Sequence, residues 1–164
     1  MLTIRRIQIG ESDLFKQIRL RALQEAPYAF KSTYASALQR SDKSWREQAD
    51  NTARGSDRVT FIAFSDVVPV GMAALYRLED QAEVGEMLQV WVAPKHRGTG
   101  LALDLMNAIF EWAGENNFRT VISRITDRNS RALKFYTKYG FSKIHDLSLP
   151  ESEGVCLAKN VKKG

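Results

Sequence analysis

Apolar residues recur with two different periods along the chain, and each period predicts one type of element. Segments rich in β-branched and aromatic residues, with alternating or continuous apolar positions, predict strands. These strands cover residues 2–9, 59–64, 70–78, 84–92, 119–126, 141–147 and 155–160. Apolar residues three and four positions apart predict helices instead. The predicted helices run from Ser12 or Asp13 up to Pro27, and over residues 34–48, 101–113 and 129–139.

The order of these elements indicates the fold class. Strands 59–64 and 70–78 follow each other across a short turn, which is typical of an antiparallel hairpin. Later in the chain a helix lies between strands 84–92 and 119–126, which predicts a right-handed parallel crossover. We therefore predict a single α/β domain over residues 1–164, with a mixed, mostly antiparallel central sheet flanked by helices and one parallel β–α–β unit.

Charge and composition narrow the classes of function. The 164 residues include 24 Lys and Arg against 19 Asp and Glu, a formal net charge of +5 that suggests an anionic partner. The basic residues are scattered rather than gathered in dense arms, so we expect no nucleic-acid binding. The longest apolar stretch, residues 67–76, is about half as long as a membrane-spanning helix, so we expect no membrane partner. Cys156 is the single cysteine and offers no metal-ligand spacing. We expect a cytoplasmic protein without a metal.

A glycine-rich turn between strand 84–92 and the helix that begins at Leu101 is the strongest candidate binding site. It contains Gly98 and Gly100. Glycines let a backbone approach a ligand closely, and a helix N-terminus adds partial positive charge, so such a turn can bind an anion. The dinucleotide fingerprint would require glycine where Leu103 stands, and the P-loop sequence Gly-Lys-Ser/Thr is absent. A turn of this kind can also join a strand to a helix without binding a ligand.

A second group of residues lies within the predicted helix 129–139 and just after it. Asn129 is a suitable N-cap, and Gly140 is a suitable residue to end the helix. Tyr136 lies about two turns, or 10 Å, along the same helix face from Asn129. Helix structure alone would explain each residue, but this face could also line one elongated ligand.

The two segments together resemble the GNAT superfamily of acetyl-CoA-dependent N-acetyltransferases. The glycine turn contains Arg97-x-x-Gly100-x-Ala102, which is similar to the superfamily signature Arg/Gln-x-x-Gly-x-Gly/Ala. The helix is similar to the signature Asn-x-x-Ala-x-x-x-Tyr-x-x-x-Gly-Phe at every defined position from Asn129 to Phe141. The resemblance implies the GNAT fold, acetyl-CoA as cosubstrate, and direct transfer of the acetyl group to a primary amine.

The resemblance also implies which residues bind the cosubstrate. The amides of the glycine turn would hold the pyrophosphate, with the Arg97 side chain as a supplement. A bulged fourth strand would pair with the pantetheine arm and supply an amide to the thioester oxygen. The implied binding residues are Val90, Trp91, Val92, Arg97, Gly98, Thr99, Gly100, Leu101, Ala102, Asn129, Arg131 and Tyr136. Arg131 and Lys134 either hold the 3′-phosphate of CoA or only solvate their helix.

Tyr136 and Glu86 are the implied catalytic residues. Tyr136 matches the position of the superfamily's general acid, next to the leaving thiol. Ordinary pKa values of ~10 for a phenol and ~8.5 for a thiol make this proton transfer uphill by roughly 2 kcal/mol, so we expect mainly hydrogen-bond stabilisation of the thiolate. Some relatives have a basic glutamate on the fifth strand, where this chain has Arg124, and others have one where Glu86 stands. A carboxylate in water is about 8 kcal/mol too weak to deprotonate an alkylammonium, so desolvation or a bridging water is required. Glu83 is the reserve candidate.

The acceptor is the part that the sequence constrains least. In similar proteins the first two helices and their connector shape its site, here residues 21–45 with the aromatic side chains of Tyr28, Phe30 and Tyr34. We expect a small-molecule amine, and the fold is compatible with a homodimer. The alternatives are an acetyltransferase acting on a protein amine, a domain that binds acyl-CoA without turnover, and a basic nucleic-acid-binding module.

Overall fold

A computed structural model describes residues 1–126, 130–145 and 154–162, and it contains seven strands and five α-helices within them. The strands are β1 (Leu2–Arg6), β2 (Arg58–Ser65), β3 (Val68–Arg77), β4 (Val84–Val92), β5 (Thr120–Ile125), β6 (Ser142–Ile144) and β7 (Val155–Asn160). The helices are α1 (Ser12–Glu25), α2 (Tyr34–Leu38), α3 (Asp42–Ala53), α4 (Leu101–Glu115) and α5 (Ser130–Tyr139). Single turns of 3₁₀-helix cover Pro27–Ala29 and Pro94–His96.

The strands form one sheet in the order β1-β2-β3-β4-β5-β7-β6. Strands β1 to β4 are antiparallel neighbours, and so are β5 and β7, and β6 and β7. Only β4 and β5 are parallel among the described strands, and α4 connects them. The mixed, mostly antiparallel sheet with one parallel β–α–β unit confirms the fold class predicted from the sequence.

Strand β3 lies at the centre of the core. Residues 69–75 are all buried, and successive side chains of a strand point to opposite faces, so the sheet is covered on both sides here. Helices α1 and α4 both pack against β3, and α3 packs against α1 and β2. The largest fully buried side chains include Phe15 and Trp45, whose rings meet edge to face with centroids 5.8 Å apart. None of the helices in the described part of the chain is long and apolar enough to cross a membrane.

Strand β4 carries the bulge that the resemblance implied. Met72 is paired with Trp91, and Ala74 with Leu88, so β4 has one more residue than β3 between these pairs. Gln89 at this point has a φ of +59°, a left-handed conformation that is uncommon for a residue other than glycine. A bulge of this kind bends its strand and redirects the neighbouring backbone groups.

The bulge occurs where β4 and β5 separate. The parallel pairing ends at Glu86 with Ile122. Beyond this pair, residues 87–92 are paired with β3 on one side, and no pairing with β5 occurs among the described residues. The two strands therefore open a wedge whose walls include backbone groups without a strand partner.

The helix predicted over residues 34–48 is two helices, α2 and α3. Each begins with its own N-cap: the hydroxyl of Thr33 accepts from the Ser36 amide at 3.1 Å, and that of Ser41 accepts from the Ser44 amide at 3.1 Å. An N-cap residue has non-helical backbone angles, so Ser41 interrupts the predicted helix. The predicted 129–139 helix is confirmed from Ser130, and Asn129 lies outside the described residues.

Candidate active site

The glycine turn presents free backbone amides at the start of α4. Gly98 and Gly100 have φ values of +80° and +88°, which favour glycine over any residue with a side chain. The first hydrogen bond into the helix is donated by the Asp104 amide to the Gly100 carbonyl at 3.0 Å. The amides from Gly100 to Leu103 therefore precede the helical ladder and have no helical acceptor. Together with the helix dipole they can bind an anion, as the sequence predicted.

The side chain of Arg97 holds this turn in place. Its Nε donates to the Val92 carbonyl at 3.1 Å, and its Nη2 donates to Glu25 at the end of α1. The same Glu25 oxygen accepts from the indole Nε1 of Trp91 at 3.0 Å. The guanidinium that was expected to supplement the pyrophosphate site therefore already has protein partners, which tie the turn to β4 and α1. Glu25 has no signal in the sequence that would have indicated this role.

Thr99 and Leu101 belong to the turn but not to its cavity wall. The Thr99 hydroxyl donates to the His96 carbonyl, and Leu101 is only 1% exposed and packs in the core. Their side chains therefore stabilise the turn, and any direct contribution to ligand binding would come from their backbone.

A cavity of about 840 Å³ opens between the diverging strands β4 and β5. Its wall includes most of the residues that the sequence predicted for the site: Glu86, Val90, Trp91, Val92, Arg97, Gly98, Gly100, Ala102, Arg131 and Tyr136. Among the implied binding residues only Asn129 lies outside the described part of the chain. The glycine turn, the bulged strand and helix α5 thus meet at one site. The cavity also borders on His96, which is half-buried.

Tyr136 is buried at the cavity wall, with 6% of its surface exposed. It forms a hydrogen bond with Ser123 on β5. Burial raises the pKa of the Tyr136 phenol well above its usual value, and the Ser123 hydrogen bond offsets only part of this rise. Tyr136 is therefore a neutral hydrogen-bond donor at every physiological pH. The sequence did not indicate Ser123, because a lone strand serine has no distinguishing pattern.

Glu86 lies on β4 and forms an ion pair across the sheet. Its Oε1 accepts from Arg124 Nη1 at 2.6 Å, and both side chains are about four-fifths buried, with 19% and 23% exposed. Glu86 borders the cavity, as does Arg124. Glu83 does not border it: this side chain is 62% exposed and lies 3.6 Å from Arg119 Nε. Of the two glutamates considered as bases, only Glu86 is in the right place.

Helix α1 and the aromatic connector, residues 26–32, form another part of the cavity wall. Tyr28 and Phe30 border the cavity here, whereas Tyr34 packs against the core. Arg19 of α1 also borders the cavity, and sequence reasoning missed it. Its buried Nη1 has no hydrogen-bond partner among the described residues, and its guanidinium carbon lies 4.6 Å from the centre of the Phe30 ring.

Burial is the largest influence on the pKa of Arg19. It lowers the pKa of Arg19 to about 10, so the side chain is still a cation at neutral pH. Gln89 at the bulge has a complementary feature, because its Oε1 is buried and has no hydrogen-bond donor among the described residues. Within the same residues, no group of three or more His, Cys, Asp or Glu side chains could hold a metal ion.

Residues 19–141 match the acetyltransferase (GNAT) family. This match spans most of the chain and both segments that resembled the superfamily. The protein is a member of the GNAT acetyltransferase family.

Similar proteins agree with this assignment. An uncharacterized N-acetyltransferase of Archaeoglobus fulgidus is 31% identical over 106 residues, which cover 62% of this chain and 67% of the relative. A GNAT-family acetyltransferase from Streptococcus pneumoniae has the same fold, with a TM-score of 0.82 at 15% identity over 99% of this chain and all of the other.

Two further solved structures of this fold contain a ligand. The yncA protein of Salmonella typhimurium was solved with acetyl-CoA and has a TM-score of 0.76 at 15% identity, covering 100% of this chain and 96% of the other. The paia N-acetyltransferase of Thermoplasma acidophilum was solved with coenzyme A and has a TM-score of 0.72 at 18% identity, covering 98% and 99%.

Proposed function

We propose that this protein is an N-acetyltransferase that moves the acetyl group of acetyl-CoA to the primary amine of a small molecule by direct attack. The observation that supports this most is the meeting of three features at one cavity: the free amides of the glycine turn, the unpaired edge of the bulged strand β4, and the buried Tyr136 phenol. The ligands of the two similar structures solved with acetyl-CoA and coenzyme A support the same cosubstrate.

The residues present fit three parts of CoA: the pyrophosphate, the pantetheine arm and the 3′-phosphate. The amides from Gly100 to Leu103 suit the pyrophosphate, since they combine free donors with the positive end of a helix. The edge of β4 from residue 87 to 92 has amide and carbonyl groups that suit the extended pantetheine arm. Arg131, exposed at the start of α5, is a candidate for the 3′-phosphate.

The reaction requires the amine nitrogen to attack the thioester carbonyl carbon, so that a C–N bond forms and the C–S bond breaks. A backbone amide near the bulge would stabilise the charge on the carbonyl oxygen. Tyr136 would donate a hydrogen bond to the leaving thiolate. Because burial raises the pKa of Tyr136 further above that of a thiol, full proton transfer from the phenol is less favourable than the ordinary values indicate.

Glu86 is the proposed acceptor of the ammonium proton, through a bridging water. The carboxylate borders the cavity, but it is already held by Arg124 at 2.6 Å. This ion pair holds the carboxylate in place and occupies its Oε1. We therefore infer that Glu86 orients a water near the amine rather than taking the proton directly.

Release of the CoA thiol across a panel of small amines tests the proposed function. We expect thiol release with at least one amine, matched one to one by the N-acetylated product in mass spectra. Binding of acetyl-CoA without thiol release for any amine in the panel would instead identify a domain that binds acyl-CoA without turnover. Product from peptide amines alone would overturn the small-molecule acceptor.

Glu86→Gln tests the base, with Glu83→Gln as the matched control. We expect kcat to fall by about 100-fold for Glu86→Gln, at the low end of the usual range for general-base groups, and the pH profile of kcat to change. Glu83→Gln should leave both unchanged, because Glu83 does not border the cavity. Equal rates and pH profiles for the two variants would exclude Glu86 as the base.

A further inference from the structure

Arg19 is a buried cation without a counterion among the residues that the structure describes. Only 7% of its surface is exposed, and it forms no ion pair among the described residues. Moving an unpaired charge out of water is unfavourable by several kcal/mol unless a partner compensates it. A residue in this position therefore lowers the stability of the free protein.

The surroundings of Arg19 do not supply that compensation. Burial is the largest influence and lowers the pKa of Arg19, Tyr76 raises it in part, and Arg40 lowers it again by repulsion between like charges. Arg40 donates to the Ser44 hydroxyl and lies 3.9 Å from the centre of the Trp45 ring. Arg19 contacts the face of Phe30 instead, and such a contact offsets only a part of the desolvation.

The position of Arg19 indicates what the missing partner is. It borders the cavity together with Tyr28 and Phe30 of the aromatic connector, whereas the glycine turn borders it at the start of α4. The amide donors of that turn suit the phosphates of CoA, so Arg19 is not needed there. Resting on the proposed function, we propose that Arg19 binds a carboxylate of the acceptor, so that the substrate is an amine that also carries a carboxylate group.

A carboxylate suits this position better than a phosphate. The planar fork of a guanidinium donates two parallel hydrogen bonds to a carboxylate, and one cation balances one negative charge. The wall also contains Gln89, whose buried Oε1 has no donor within the described ranges of the chain. An amino acid brings both an anionic group for Arg19 and ammonium hydrogens for such an acceptor.

The test compares matched acceptors and matched variants. Each amino acid in a panel is paired with its own carboxamide, and aminoalkyl phosphates form a third set. The variants are Arg19→Met, which keeps the length but removes the charge, and Arg19→Lys, which keeps the charge without the fork. Arg58→Met is the control, because Arg58 lies 4.8 Å over the Tyr76 ring and does not border the cavity.

We expect the wild-type protein to favour carboxylates over carboxamides by about 10- to 100-fold in kcat/KM, as a charged hydrogen bond would give. Arg19→Met should lose this preference, so that its kcat/KM falls far more for carboxylates than for carboxamides, and Arg19→Lys should keep a part of the preference. Arg58→Met should behave as the wild type. Equal losses for carboxylates and carboxamides in Arg19→Met would show that Arg19 only supports Phe30, and would overturn the proposal. A preference for the phosphate set would overturn it as well.

Measuring how the acceptors bind distinguishes a failure of this proposal from a failure of the proposed function. We measure the Tm of the protein with CoA and each acceptor, a readout that needs no turnover. Amino acids should raise the Tm of the wild type but not that of Arg19→Met, whose own Tm should equal or exceed the wild-type value because a buried unpaired charge is gone. If amino acids bind through Arg19 but no acetyl group is transferred, the proposed function fails and this site stands. If amines are acetylated without any preference for a carboxylate, this proposal fails and the proposed function stands.

Discussion

Arg97 and Arg19 border the same cavity, and the protein surrounds their guanidinium groups in different ways. Arg97 donates to the Val92 carbonyl and to the carboxylate of Glu25. Arg19 is buried to 7% exposure against Phe30, and its Nη1 has no partner among the described residues. The first arginine holds the glycine turn in place. In the proposed function this turn faces CoA, and the second arginine is available to the acceptor.

A position in a sequence signature therefore does not by itself identify a ligand-binding side chain. Arg97 is the residue that the family signature contains, but the contacts of its side chain are with the protein. Arg19 is in neither signature, and its unsatisfied buried charge is the stronger indication of a missing partner.

The largest effect on kcat is expected at Tyr136, which borders the cavity. Tyr136→Phe should lower kcat by about 10- to 100-fold, because the leaving thiolate loses its hydrogen-bond donor. The KM for acetyl-CoA should change little. Tyr139→Phe on the same helix is the control, since Tyr139 donates to Asn107 at 2.8 Å and does not border the cavity. Equal kcat values for the two variants, measured by thiol release, would remove Tyr136 from the mechanism.

Gly100→Ala tests the CoA end of the cavity. An alanine at a φ of +88° is strained by about 1–2 kcal/mol, so the turn should shift and the Kd for CoA should rise by about tenfold. Gly10→Ala is the control, because Gly10 has a φ of +92° with equally open space around it. Calorimetry should show similar losses of stability in both variants and weaker CoA binding only in Gly100→Ala. Weaker binding in both would show that global destabilisation is the cause.

Glu25→Gln sharpens the interpretation of Arg97. The amide cannot form the ion pair with Arg97, so the turn should loosen and the Kd for CoA should rise by about threefold, the effect of a partly exposed pair. Glu11→Gln, which breaks the Arg5–Glu11 pair of 2.8 Å elsewhere, should leave the Kd unchanged. Tighter CoA binding in Glu25→Gln would mean that Glu25 withholds Arg97 from the phosphates.

The smallest effect concerns pH. Burial raises the pKa of Tyr136, so above pH ~10 the unfolded chain releases a phenol proton that the folded protein keeps. The unfolded state then binds fewer protons, and the free energy of unfolding should fall by about 1 kcal/mol between pH 10 and 11 through this residue. Urea unfolding should show a smaller fall in Tyr136→Phe than in the wild type. In Tyr139→Phe the fall should stay closer to the wild-type value, because Tyr139 is less buried than Tyr136. The same fall in all three proteins would contradict a strongly raised pKa at Tyr136.

Local patterns in the sequence were sufficient for most of the fold and for most of the residues that the glycine turn, β4 and α5 contribute to the cavity wall. The glycine turn, the bulged strand and Tyr136 depend on residues that are close in sequence or have a defined spacing. The break between α2 and α3 was missed, although Ser41 before Asp42 is a typical helix start.

The acceptor end could not be predicted in the same way, because its contacts join distant parts of the chain. Arg19 of α1 contacts the ring of Phe30 in the connector that follows this helix, and Arg124 of β5 donates to Glu86 of the neighbouring strand β4. One signal was available: Arg19 follows Phe15 by four positions and Ile18 by one, which places it on the buried face of α1. A charged residue on such a face requires a partner, and that requirement was overlooked.

A crystal structure of the complex with CoA and the best carboxylate-bearing amine tests the difference between the two arginines most directly. We expect Arg97 to keep its hydrogen bonds to Glu25 and Val92 while the turn amides contact the pyrophosphate. A nitrogen of Arg19 should lie within hydrogen-bond distance of the acceptor carboxylate, about 2.7–2.9 Å. A structure in which Arg97 leaves Glu25 for the phosphates, while Arg19 stays against Phe30 without touching the acceptor, would contradict the account.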